Sequence, residues 1–140
     1  FLKEFLPMCS LPVYLETNST MSGSLAEIID FVDYIAADIK LPSCTGLQAL
    51  WDEHDAFFEV GKQKNIFAKI IFDKNITEEE IVACSTLAAK HRIELVLQPM
   101  MIKDKISVDK DFAIGILNKF LKKYKKVRLI PQVHKFLNVK

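Results

Sequence analysis

Asp38 and Lys40 stand two residues apart in the run Asp33-Tyr-Ile-Ala-Ala-Asp-Ile-Lys-Leu-Pro-Ser43. On a strand that spacing puts both side chains on one face. A carboxylate beside an ammonium can close on itself as an ion pair, or it can grip a zwitterion by its amine and carboxylate. Pro42 ends the run, so the pair falls at the strand's carboxyl end. Three other apolar runs finish the same way. Glu16-Thr17-Asn18 follows Val13 to Leu15, Gln98-Pro99 follows Glu94 to Leu97, and Pro131-Gln132-Val133-His134 follows Val127 to Ile130. In a parallel sheet such ends share one rim, where ligands of α/β proteins gather. Of the three histidines, His134 is the best placed, because His54 and His91 read as helical. His91, near a helix end, answers the negative end of the helix dipole.

The elements that must carry these residues are legible from periodicity. Leu2, Phe5 and Leu6 form a short helical stripe that Pro7 ends. Ser24 reads as the cap of a helix whose stripe is Leu25, Ile28, Ile29 and Val32, with Glu27 completing a capping box. Tyr34 to Ile39 is a strand. Leu47, Leu50, Trp51, His54 and Phe58 mark a second helix, closed by the cations of Lys62 to Asn65. Ile66 to Phe72 is a strand interrupted only by Lys69. Thr77-Glu-Glu-Glu80 is another capping box and opens a helix to about His91. Ser107 or Asp109 starts a long helix striped by Ala113, Ile116, Leu117, Phe120, Leu121 and Tyr124. Strands alternating with helices in about five βα repeats of about 25–30 residues predict parallel pairing with right-handed crossovers. A doubly wound sheet and a piece of a (βα) barrel both satisfy that pattern.

Bulk properties narrow the field. The 140 residues are 50% hydrophobic and 26% charged, with a net charge of +1. That is one domain with a real core and no general attraction to nucleic acid or membrane surfaces. The basic stretch from Lys119 to Arg128 lies opposite an apolar stripe and reads as a solvated face. Mean hydropathy of +0.15 fits strands buried on both faces. No apolar run reaches the ~18 residues of a membrane span. Cys9, Cys44 and Cys84 are odd in number and widely spaced, as expected of free thiols in a reducing, cytoplasmic compartment. No Gly-rich phosphate loop, nucleophile elbow or zinc-ligand spacing occurs.

Taken in order, Val13-Tyr-Leu-Glu-Thr-Asn18, Asp33 to Ser43, Leu50-Trp-Asp-Glu-His54, Phe67-Ala-Lys-Ile-Ile71, Leu97-Gln-Pro99 and Ile130-Pro-Gln-Val-His-Lys135 resemble the carboxyl-terminal two-thirds of a radical S-adenosylmethionine enzyme. The nearest subgroup is the 7-carboxy-7-deazaguanine synthases; activating enzymes for glycyl-radical enzymes share the Thr-Asn and Asp-x-Lys elements. The resemblance implies a partial (βα)6 barrel of TIM-barrel type, S-adenosylmethionine, a [4Fe-4S] cluster held by a Cys-x-x-x-Cys-x-x-Cys motif, and Mg²⁺ assistance. It implies a lyase that contracts the ring of 6-carboxy-tetrahydropterin, a small-molecule substrate, in queuosine biosynthesis.

Carried over by position, Asn18, Asp38 and Lys40 are implied to contact S-adenosylmethionine, and Glu16, Gln98, Gln132 and His134 to surround the substrate. No catalytic residue or metal ligand is assigned in this chain, because the cluster motif and the loop that holds the methionyl amine are not in it. The chain starts at Phe1 in what reads as the middle of a helix, so it is expected to be an amino-terminally truncated, inactive single domain that binds no cofactor by itself. An unpaired edge near Pro12 to Leu15 would then favour a homodimer. Ser19 departs from the family pattern, which has Gly after Asn; a serine restricts the backbone there unless its φ is negative. The remaining alternative is a non-catalytic α/β binding module.

Overall fold

A computed structural model describes residues 1–102 and 105–131. Five strands, β1 (Tyr14–Thr17), β2 (Tyr34–Ile39), β3 (Asn65–Phe72), β4 (Glu94–Pro99) and, after a two-stranded ribbon, β7 (Val127–Leu129), form one sheet in the order β1-β2-β3-β4-β7. Every pair in it is parallel. The ribbon pairs β5 (Met101–Ile102) with β6 (Lys105–Ile106) antiparallel, an addition that the sequence pattern does not announce. Because the strands follow one another without a reversal, right-handed crossovers place the helices on a single face. Helices α2 (Ser22–Ala26), α4 (Trp51–Gly61), α5 (Glu78–His91) and α6 (Lys110–Lys123) accordingly pack side by side, each against the next. The doubly wound alternative, which needs a switch in strand order, is excluded by that topology.

The core lies between sheet and helices. Ile35, Ala37 and Ile39 of β2, Ala68, Ile70 and Phe72 of β3, and Leu95 and Leu97 of β4 meet Leu25, Phe57, Phe58, Ile81, Cys84, Ile116 and Phe120 from the helices. By the strand's two-residue alternation, Tyr14, Glu16, Tyr34, Ala36, Asp38, Phe67, Lys69, Ile71, Val96, Gln98 and Arg128 share the opposite face.

The sequence expectations hold for β2, α5 and α6 and need correction for the helices in the first half of the chain. Thr77 caps α5 with a complete capping box, and Asp109 caps α6 by accepting from the Phe112 amide at 2.8 Å. Ser24 is not a cap: α2 already starts at Ser22, and Ser24 lies inside it. The stripe Leu25, Ile28, Ile29, Val32 is buried as expected, but Ile29 belongs to a separate 3-10 turn, Ile29–Phe31. Periodic burial there is satisfied by two short turns and not by one helix. Leu47 is 70% exposed, because α4 begins only at Trp51, after a short helical turn α3 (Pro42–Thr45). At the amino end, α1 (Leu2–Phe5) runs into a 3-10 turn, Leu6–Met8, that accommodates Pro7, so the proline does not end the helical path. Strand β1 forms one edge of the sheet, as read from the sequence. In the basic Lys119–Arg128 stretch, Lys119 and Lys123 meet Glu78, and Arg128 meets Glu94, at the surface.

Candidate functional site

Register brings four charged side chains together on the open face. Asp38 on β2 lies opposite Lys69 on β3, and Glu16 on β1 lies opposite Ala36, one residue pair lower. Lys69 Nζ donates to Glu16 Oε1 and sits 3.0 Å from Asp38 Oδ1. Lys40 Nζ donates to the other oxygen, Asp38 Oδ2, at 2.7 Å. Asp38 is thus held between two ammonium groups, which realises the ion-pair reading of Asp38 and Lys40. Partial burial works against the charge of Lys69, but the hydrogen bonds and attraction of Glu16 and Asp38 outweigh it and raise its pKa above the usual lysine value. The lysine therefore stays protonated.

Lys69 is the site residue that the sequence reading missed, having taken it only as an interruption of an apolar strand. The signal was present: Phe67, Lys69 and Ile71 alternate with the buried Ala68, Ile70 and Phe72, so the lysine had to point to the same side of the sheet as Asp38.

Gln98 lies on the same face, opposite Ile71, above the charged group. Asn18 is exposed just past β1, its Oδ1 accepting from Thr20 Oγ1 at 3.0 Å. Gln132 and His134 lie outside the described residues. A separate apolar groove of about 380 Å³, lined by Pro99, Ile106, Val108, Ala113, Leu129 and Ile130, opens between β7 and α6. It holds none of these charges.

The strand ends are held from behind. Glu80, buried at 5% exposure, accepts from the Ser43 amide at 2.8 Å, the Ser43 hydroxyl at 2.7 Å and the Thr77 amide at 2.9 Å. Its capping-box carboxylate thus also fastens the segment that leaves β2 after Lys40. Ser19 is fully buried and adopts φ +53°, the left-handed conformation that its sequence position called into question. His54, also fully buried, packs behind it, with Nδ1 2.9 Å from Ser19 Oγ. His91 closes a different contact, 2.8 Å from Asp55 Oδ1 across α4 and α5.

Burial lowers the pKa of His54 from its ordinary 6.5, against smaller opposing effects of Ser19 and Glu53. The sign follows directly. Below about pH 6.5 the unfolded chain takes up a proton that the folded protein refuses, so stability is complete above that pH and falls with acidification. Urea unfolding at about pH 7 and about pH 5 is expected to show this loss, and His54→Leu to flatten that part of the profile.

Among the described residues, no group of three or more His, Cys, Asp or Glu side chains could hold a metal ion. The three cysteines do not form a cluster-binding set. Cys9 is exposed near the amino end, Cys84 is fully buried on α5, and burial pushes the thiols of Cys44 and Cys84 above the ordinary range. No helix among the described residues is long and apolar enough to cross a membrane.

Fold and site define an α/β protein whose polar groups converge at the carboxyl ends of parallel strands, the place where such sheets bind small molecules. Compared with known proteins, the chain is 36% identical over 97% of its length to the 7-carboxy-7-deazaguanine synthase of Geobacter sulfurreducens, of which the match covers 56%. It is 29% identical over 92% of its length to the 7-carboxy-7-deazaguanine synthase of Archaeoglobus fulgidus, again covering 56% of that protein. The chain is similar to these 7-carboxy-7-deazaguanine synthases over nearly all of its own length, in line with the resemblance of its strand-end motifs, and it spans about half the length of the curated relatives it matches. No family model matches it.

Proposed function

We propose that the chain is the carboxyl-terminal part of a radical S-adenosylmethionine enzyme of the 7-carboxy-7-deazaguanine synthase type, acting on 6-carboxy-tetrahydropterin, and that its sheet is an arc of a (βα) barrel. The observation that carries this reading is the Glu16–Lys69–Asp38–Lys40 group on the open face, at strand ends whose motifs match that family. Sequential parallel strands with helices on one side are what an arc of a barrel requires.

The residues present fit S-adenosylmethionine. Asp38 and Lys40 stand at the strand end that the family resemblance assigns to S-adenosylmethionine, and they present a carboxylate and an ammonium to a charged, polar ligand. Asn18 at the adjoining strand end supplies an amide donor and acceptor. When bound, S-adenosylmethionine supplies hydrogen-atom abstraction in this class of enzyme. The chain's own residues bind and orient: Lys69 keeps two carboxylates compatible on one face, and Gln98 presents an amide toward the substrate side. The iron–sulfur cluster has no ligand set among the described residues of this chain, and no step is assigned to it.

The test is complementation of a bacterial strain deleted for its 7-carboxy-7-deazaguanine synthase, using the protein at the full length that its gene encodes. Queuosine should return to tRNA, and Asp38→Ala should abolish the return. A folded, expressed protein that restores no queuosine would overturn the proposal and favour an activating enzyme or a binding module.

A further inference from the structure

We propose that Ser19 and His54 are positioning residues that lock the β1 end to the β2 end and so fix where Asn18 and Asp38 stand. The role of those two residues in holding a ligand rests on the reading above; the brace itself does not.

The β1–β2 register runs from Tyr14↔Tyr34 to Thr17↔Ala37. Two residues further, the next rung of a parallel ladder would run from the Ser19 amide to the Asp38 carbonyl. That rung does not form. The chain turns left-handed at Ser19, and its amide donates to Thr17 Oγ1 at 3.2 Å instead. The Asp38 carbonyl is satisfied by the Ser19 hydroxyl, which donates to it at 2.8 Å. The side chain thus replaces the ladder bond that the turn removed. A glycine would adopt the same φ without steric cost, but it would leave that carbonyl without its donor.

His54 holds the turn from the α4 side. Its Nδ1 lies 3.1 Å from the Ser19 carbonyl and 2.9 Å from the Ser19 hydroxyl oxygen. A carbonyl only accepts, so the ring proton is on Nδ1, and the hydroxyl, already donating to Asp38, accepts from the same N–H. Nε2 is then a bare acceptor. It is buried, it has no hydrogen-bond partner among the described residues, and the Trp51 and Phe58 rings lie 6.4 and 6.2 Å from the imidazole. Keeping a polar nitrogen in those surroundings is unfavourable, and the bonds to Ser19 are what offset it. Ser19 in the left-handed region persists for the same reason: two elements over-determine it. One connected set of bonds therefore runs from α4 through the turn after Asn18 to the backbone of Asp38, whose carboxylate carries the two lysines.

The test compares His54→Asn with His54→Leu, two side chains with the same branched heavy-atom skeleton. The asparagine amide stands where Nδ1 stands, and leucine has no donor. In the wild-type chain, ¹⁵N spectra at pH 7 should show His54 as the Nδ1–H tautomer, a readout that needs no variant. Amide hydrogen exchange at residues 18–21 and 38–39 should accelerate about tenfold or more in His54→Leu, relative to amides of β3 and β4, and stay within about threefold in His54→Asn. Ser19→Gly should also accelerate exchange at 38–39 despite relieving the backbone. An Nε2–H tautomer, or the same exchange in both His54 variants, would overturn the brace. In the full-length protein, S-adenosylmethionine should bind about tenfold more weakly to His54→Leu and recover in His54→Asn. If the wild-type protein binds none, the ligand reading fails, while the exchange data still decide the brace.

Discussion

Under the proposed function, replacing Lys69 with methionine is expected to lower queuosine formation in the complementation assay about 100-fold, the scale set by loss of one well-placed charged donor in a site. Methionine keeps the length of the chain and deletes the ammonium. Glu16 and Asp38, which meet the same Nζ, would then face each other on the open face with, among the described residues, only Lys40 left to compensate. Like charges left on one face without their shared cation repel, so the two carboxylates would no longer be held together there. The Lys69 and Asp38 side chains are 16% and 19% exposed, whereas Glu16 is 66% exposed. The stability cost is therefore expected near 2 kcal/mol, below that of a fully buried pair. Urea unfolding and queuosine formation measure the two effects separately. Adding Glu16→Gln to Lys69→Met should recover part of the stability, because it removes one of the opposed charges. On the alkaline side, the wild-type network should hold until strong alkali. With the lysine pKa raised on folding, its contribution is present below the ordinary 10.5 and is lost as pH climbs through the folded value.

Glu80→Ala is expected to destabilise the fold by about 3 kcal/mol. The carboxylate accepts three hydrogen bonds, from the Ser43 amide, the Ser43 hydroxyl and the Thr77 amide, and the residue is 5% exposed. Alanine leaves those donors without acceptors in a place that water reaches poorly, and it dismantles the capping box of α5 as well. Chemical denaturation should show a lower midpoint at unchanged slope. A Thr77→Ala substitution removes the cap but leaves Ser43 bonded, and should cost about 1 kcal/mol. The two substitutions remove different bonds, the three that Glu80 accepts and the one that the Thr77 hydroxyl accepts, so the larger loss expected for Glu80→Ala reports its hold on the segment behind Asp38 and Lys40. Equal losses would overturn that expectation.

Local chemistry made part of this legible in the sequence. The Thr77 box, the Asp109 cap and the helical stripe of α6 depend on neighbours three and four residues away, and they are written in consecutive letters. The Asp38–Lys40 pair is legible for the same reason, through the two-residue repeat of a strand. Lys69 became a site residue only through strand register, which places it opposite Asp38 and within reach of Glu16, more than fifty positions away. His54 looked structural because an isolated helical histidine usually is; its contact with Ser19 spans 35 residues. The misplaced Ser24 cap has another cause. A buried stripe reports which side chains face the core, and two short turns can meet that demand as well as one helix.

The nearest-neighbour strand order makes the sheet quasi-one-dimensional, since each strand leans only on the ones beside it. Such arrays melt inward from their ends. Strand β1, four residues long and paired on one side, belongs to the fraying margin, while β2 and β3 belong to the last part to open. Glu16 and Asn18 therefore sit on the loosest layer of the molecule, and Asp38 and Lys69 on the firmest. Anything that bridges the two would act as a staple, slowing the exchange of β1 amides far more than those of β3.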